Sequence, residues 1–193
     1  MTDSDWQAVY ESLEMEFWPG YERVELPTES AIADVEKQFG IVLPESYRRM
    51  VKIFGPGELG GRFMLKAPGY AEQRPKIDLF SFTEKWRSIL PENSSDERVG
   101  RLIYFCDTIY SDFIGWDPTD VRDSKSRELG IYICVHERDR ADFLTDSFDK
   151  FINDFCFGDG LGRFLEGEGH AGDRSADVHG CRSPVRQQQA HHA

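Results

Sequence analysis

At 193 residues the chain is long enough for one domain with a real hydrophobic core and too short for two. A composition that is 39% hydrophobic and 13% aromatic belongs to a folded globule and excludes a wholly disordered chain. Thirty-five acidic against 23 basic residues give a net charge of −12 with no run of Lys/Arg, which excludes nucleic-acid phosphates as a partner and favours a basic protein.

The segment Met1-Thr2-Asp3-Ser4-Asp5 is acidic and lacks the basic-then-apolar plan of a secretion signal. No apolar stretch approaches the roughly 20 residues of a membrane-spanning helix, so no membrane association and a cytoplasmic location are expected. Trp6, Val9, Tyr10, Leu13 and Phe17 recur on one face of an amphipathic helix, which Pro19-Gly20 stops, giving an N-terminal helix within residues 1–20. Thr28 caps a second helix with the apolar stripe Ile32, Val35 and Phe39, and Gly40 supplies its left-handed C-terminal residue. Residues 41–43 run extended, because the residue before Pro44 is disfavoured in the helical region. Pro44 then takes the first helical position of a third helix, which buries Tyr47, Met50, Val51 and Phe54 and ends at Gly55-Pro56-Gly57.

After Gly60-Gly61 the period becomes strand-like, with short β-favouring runs at 62–66, 77–82, 102–106, 112–116 and 131–135. A small helix is expected after Thr83, where Trp86, Ile89 and Leu90 share a face, and 92–97 reads as an exposed loop. A last helix begins near Asp146 or Ser147, turns Phe148, Phe151, Ile152 and Phe155 inward and closes at Gly158. This order predicts an α+β fold: a mainly antiparallel central sheet of about five to six short strands, flanked by N-terminal helices and a C-terminal helix. The single domain covers 1–167. Residues 168–193 have no aromatic residue and read as a disordered polar tail, in which Glu168, Asp173 and Asp177 balance Arg174, Arg182 and Arg186.

Chemistry has few candidates. Cys106, Cys134 and Cys156 each sit in an apolar run, as reduced buried cysteines do, and Cys181 lies in the tail. No CxxC or CxxxH spacing supports a structural zinc, and no cofactor is expected. Four of the five histidines (His170, His179, His191, His192) belong to the tail, where no scaffold holds them together; His136 ends a strand beside a charged turn and reads as solvated rather than catalytic. The glycines of 158–162 follow a helix, not a strand, and read as a helix stop and flexible exit rather than a phosphate loop. Asp107, Asp112, Asp117 and Asp120 form the best candidate set. They read as acidic turns on a protein-binding face, together with Pro56 and Glu58 of the loop after Phe54; a Mg²⁺ or Ca²⁺ site or an acid/base pair is the remote alternative. Trp116 among them is either an interface anchor or simply buried in the sheet.

Ile32, Glu36, Phe39, Gly40, Ile41, Leu43, Pro44, Glu45 and Tyr47 together resemble the start of the SUKH superfamily, in the branch named after the yeast cell-wall assembly regulator. Residues 103–105 with Asp112, Phe113 and Asp117 are similar to its central strand pair, and 131–135 followed by 146–157 to its closing strand and helix; together they cover about 28–158. In this chain Gly55-Pro56-Gly57 stands where the family usually has Asn-Gly-Gly, and Ser111-Asp112 where it has Gly-Asp. The resemblance implies a non-enzymatic domain, with Ile32, Glu36, Gly40, Leu43, Pro44 and Tyr47 as structural motif residues. It further implies an immunity-type role, binding and neutralising a basic toxin, often a nuclease, or else an intracellular regulatory scaffold with no toxin. The oligomeric state is left open.

Overall fold

Signals at the helix ends set the first half of the molecule. In the computed structural model, which describes residues 2–13, 24–136 and 138–167, Thr2 opens α1 (Asp3–Ser12) with a capping box shared with Asp5. Leu13 is already extended, so this helix ends before the expected stop; Phe17 and Pro19-Gly20 lie outside the described residues, as does the tail 168–193. Thr28 Oγ1 accepts from Ala31 N–H at 3.1 Å to start α2 (Glu29–Phe39), and Gly40 closes it at φ 68°. In α3 (Glu45–Phe54) Pro44 occupies the N-cap and not the first helical position, with an extended ψ of 136°.

Six antiparallel strands follow one another in space as in sequence: β1 (Gly57–Leu59), β2 (Phe63–Leu65), β3 (Ile103–Thr108), β4 (Phe113–Asp123), β5 (Glu128–Cys134) and β6 (Ala141–Thr145). The α+β architecture expected from the sequence is the one found. The run 77–82 is not a strand, however. Asp78 caps α4 (Leu79–Ile89) by accepting from Ser81 N–H at 2.8 Å, and Leu79, Phe82 and Thr83 are buried at helical spacing. Two 3₁₀ turns, Leu90–Asn93 and Glu97–Gly100, lead into β3.

The closing helix is a composite. One α-turn, α5 (Phe148–Lys150), passes directly into a π-helical stretch (Phe151–Cys156), and Phe157 N–H donates to Ile152 C=O. The wider winding carries Cys156 into the core in place of Phe155, which is only half-buried. The glycines of 158–162 do not end the structure, because Gly160 begins α6 (Gly160–Gly167), which buries Leu161.

Each sheet face has its own apolar cluster. On one, Phe105, Ile114, Trp116, Ile131 and Ile133 meet Ile32, Leu43 and Tyr47 from the N-terminal helices and Phe148 and Phe151 from the C-terminal one. On the other, Tyr104, Phe113, Tyr132 and Cys134 meet Phe82 of α4 and Val99 of the second 3₁₀ turn. Alternation along the strands explains the division, since successive side chains point to opposite faces.

Candidate functional site

The four aspartates singled out in the sequence do not form one site. Asp107 pairs with Lys66, whose ammonium also lies 4.3 Å from the centre of the Phe82 ring. Asp112 is fully buried; its carboxylate accepts from Thr108 Oγ1 and from His136 N–H, each at 3.1 Å. Asp117 is buried between Arg98 (3.1 Å) and Arg101 (2.8 Å) and also accepts from Thr119 Oγ1 at 2.7 Å. Burial pushes the Asp117 carboxyl up, but the hydrogen bonds from Arg101 and Thr119 outweigh it and hold the group well below the usual carboxylate range. Asp120 binds the Arg122 guanidinium (2.6 Å) and the Tyr132 hydroxyl (2.7 Å). Among the described residues, no three His, Cys, Asp or Glu side chains gather as metal ligands would.

Two expected contact residues, Asp112 and Asp117, are thus interior hydrogen-bond hubs, and Trp116 is a third interior residue. Its ring stacks on Phe105 at 4.1 Å and meets the edge of Tyr47 at 4.7 Å, so the buried alternative holds for Trp116 and not the anchor. The hydrophobic gain of such an indole favours the core over a solvated strand. Pro56 and Glu58 are half-exposed, at the edge strand β1.

What the sequence did not single out is the tip of the β3–β4 hairpin. Ile109 is 53% exposed and Tyr110 40%. The tip is held from inside: Asp112 fastens it to Thr108 and to the end of β5, Ser111 takes φ 64°, and Ile109 N–H donates to Arg62 C=O in the β1–β2 turn. An apolar pair in a turn was the available signal, masked by its Thr, Ser and Asp neighbours.

A second cluster lies on the face of β4–β6 that α4 partly covers, where Tyr132 is buried and Phe143 is 43% exposed. Arg98 stacks on the Tyr132 ring (4.4 Å), Arg122 on the Phe143 ring (4.5 Å), and the two rings meet edge to face at 5.5 Å. A Cβ on Gly130 would lie 2.0 Å from Asp120 Oδ2, so only glycine lets that carboxylate cross β5 to Tyr132. No sequence signal marks this array, because Arg98 comes from the irregular segment before β3 and Arg122 from the far end of β4.

The motif residues gather where α2 joins α3. Pro44 has no N–H and its ring offers no cap to α3, so the join is made by Glu36. Its Oε1 accepts from Leu43 N–H at 2.9 Å and from Arg48 at 3.2 Å, tying α2 to the start of α3. Ile32 and Leu43 are fully buried, Gly40 takes the left-handed cap, and the buried Tyr47 hydroxyl donates to Lys66 C=O at 2.8 Å.

In a comparison with known families, the model of the SMI1 / KNR4 family (SUKH-1) matches residues 26–154. No curated protein and no solved structure gives a match.

Proposed function

The chain belongs to the SMI1/KNR4 family (SUKH-1), and from that premise we propose that it is a non-catalytic protein-binding domain of the immunity type, which holds and neutralises a basic toxin domain. The observation that carries the reading is the β3–β4 tip. Ile109 stands 53% exposed on a turn with a positive-φ serine and a buried carboxylate beneath it, a fixed apolar side chain that a partner can cover. A tip fixed in advance loses little conformational freedom on binding. The net charge of −12 speeds encounter with a basic partner, and Glu58 and the partly exposed Asp107 lie in one row across Met64.

The protein acts in the cytoplasm in this reading, which the buried, reduced Cys106, Cys134 and Cys156 support among the described residues. No helix among the described residues is long and apolar enough to cross a membrane.

The test is calorimetric titration of the full chain with the toxin domain encoded beside its gene. Tight binding that weakens as salt rises is expected, with Ile109→Asp or Tyr110→Ala weakening it at least about tenfold, as interface hot spots do. Binding indifferent to both variants would remove the tip from the interface. A protein that binds no adjacent toxin would instead be the regulatory scaffold.

A further inference from the structure

Beside the hairpin tip, the β1–β2 turn carries a cation without a counter-charge. Arg62 closes that turn, its N–H donating to Leu59 C=O at 3.2 Å and its C=O accepting from Ile109 N–H at 3.0 Å. Its half-buried guanidinium has no hydrogen-bond or ion-pair partner among the described residues. Arg48 and Arg98, likewise half-buried, sit on Glu36 and Asp117. Glu58, on the same hairpin, sends its carboxylate towards Gly61 and makes no ion pair with Arg62.

The turn is also bordered by the closing helix. Gly60 stands at φ 61°, and a Cβ there would lie 2.2 Å from the Cys156 carbonyl oxygen, so the end of the π-helical stretch abuts it. Phe157 follows at once and is 39% exposed. Backbone contacts thus bring Ile109, Arg62 and Phe157, from three separate elements, to one end of the sheet.

Arginine and aromatic side chains are the types that carry binding energy where proteins meet, and a partly desolvated guanidinium is best satisfied by a carboxylate. A partner acidic overall is repelled by a chain of charge −12, so that carboxylate belongs to a partner that is basic elsewhere. Resting on the reading that the chain holds a basic toxin domain, we infer that Arg62 and Phe157 extend the hairpin-tip contact, and that the toxin meets them with a carboxylate set beside an apolar recess. Overall charge brings the two proteins together, and this local contact of opposite polarity fixes how they dock.

Calorimetric titration of the full chain with the toxin domain encoded beside its gene tests this by the sign of one change. Arg62→Glu should weaken binding at least about tenfold, because it sets like charges against each other at the point of contact. If net charge alone governed binding, the same substitution would make the chain more acidic and tighten it. Lys76→Glu makes an equal change of charge beyond the opposite end of β2, where Ala67 N–H donates to Ile77 C=O, and should bind at least as tightly as the parent. Phe157→Ser should also weaken binding about tenfold, with thermal melts showing that each variant folds. Arg62→Glu binding as well as the parent or better, or Phe157→Ser without effect, overturns the inference; the tip stays in the interface if Ile109→Asp still weakens binding. A parent chain that does not bind the toxin removes both.

Discussion

At the scale of the residue, two side chains carry more than their type suggests. Ser111 stands in the left-handed region at φ 64°, where a Cβ crowds the backbone and glycine does not. Ser111→Gly should therefore stabilise the protein by about 0.5–1 kcal/mol, the relief in the fold exceeding the added freedom of the unfolded chain. Urea denaturation would show it as a higher midpoint at unchanged slope; a lower midpoint would mean that the serine side chain supports the turn. Asp117 is the second. Because its folded-state proton affinity lies below the unfolded value of 3.8, the stability it supplies is complete above that pH and is lost as pH falls through the folded value. Asp117→Asn should cost about 2 kcal/mol at neutral pH, since it leaves two guanidinium groups short of a carboxylate. The gap between parent and variant in chemical denaturation should then narrow below about pH 4; a gap of constant size down to pH 3 would count against the assignment. Neither role was legible beforehand: Arg98 and Arg101 lie 19 and 16 residues before Asp117, and only the fold brings them together.

At the scale of the element, what the sequence announced was local and what it concealed was tertiary. Thr28, Gly40 and Leu43-Pro44 mark the ends of α2 and α3 through neighbours a few residues away, and those helices are where they were expected. The run 77–82 misled because Ile77 and Leu79 mimic alternation, while the deciding feature was the cap at Asp78, which is also bonded by Tyr70 N–H at 3.0 Å. Glu128 shows how elements without sequence adjacency are joined. Its carboxylate accepts from Ser46 Oγ of α3 and from Phe148 N–H at 3.0 Å, so β5 fastens the third helix to the first turn of α5. Burial pushes this carboxyl up, with the two donors pulling it only part of the way back. A raised acid favours its protonated form in the fold, so ionisation of Glu128 costs stability as pH rises past the unfolded value of 4.5. Glu128→Gln can turn its carbonyl to Phe148 and its amide to Ser46, and should lie within about 1 kcal/mol of the parent at pH 7, on the stabilising side. Glu128→Ala should lose about 2–3 kcal/mol and speed amide exchange at Phe148. Thermal melts of the pair, together with hydrogen exchange, distinguish a clamp from a spectator: equal effects of the two substitutions would refute the clamp.

At the scale of the whole molecule, composition gives an acidic chain but not how its charge is apportioned. The ion pairs of Arg98, Arg101 and Arg122 and the exposed hairpin tip are properties of the assembled sheet. The order of that sheet has a consequence of its own. Each strand from β2 to β6 pairs with the one made just before it, so none of these must wait for a later segment to find its register. A chain leaving the ribosome can lay the sheet down in the order of its synthesis, with α4 wound in the interval between β2 and β3. The aromatic core stays open until the end, since Phe148 and Phe151 arrive only after β6. Its nearly finished sheet would then stand exposed during synthesis, and the closing helix is the step that ends its vulnerability to misassembly.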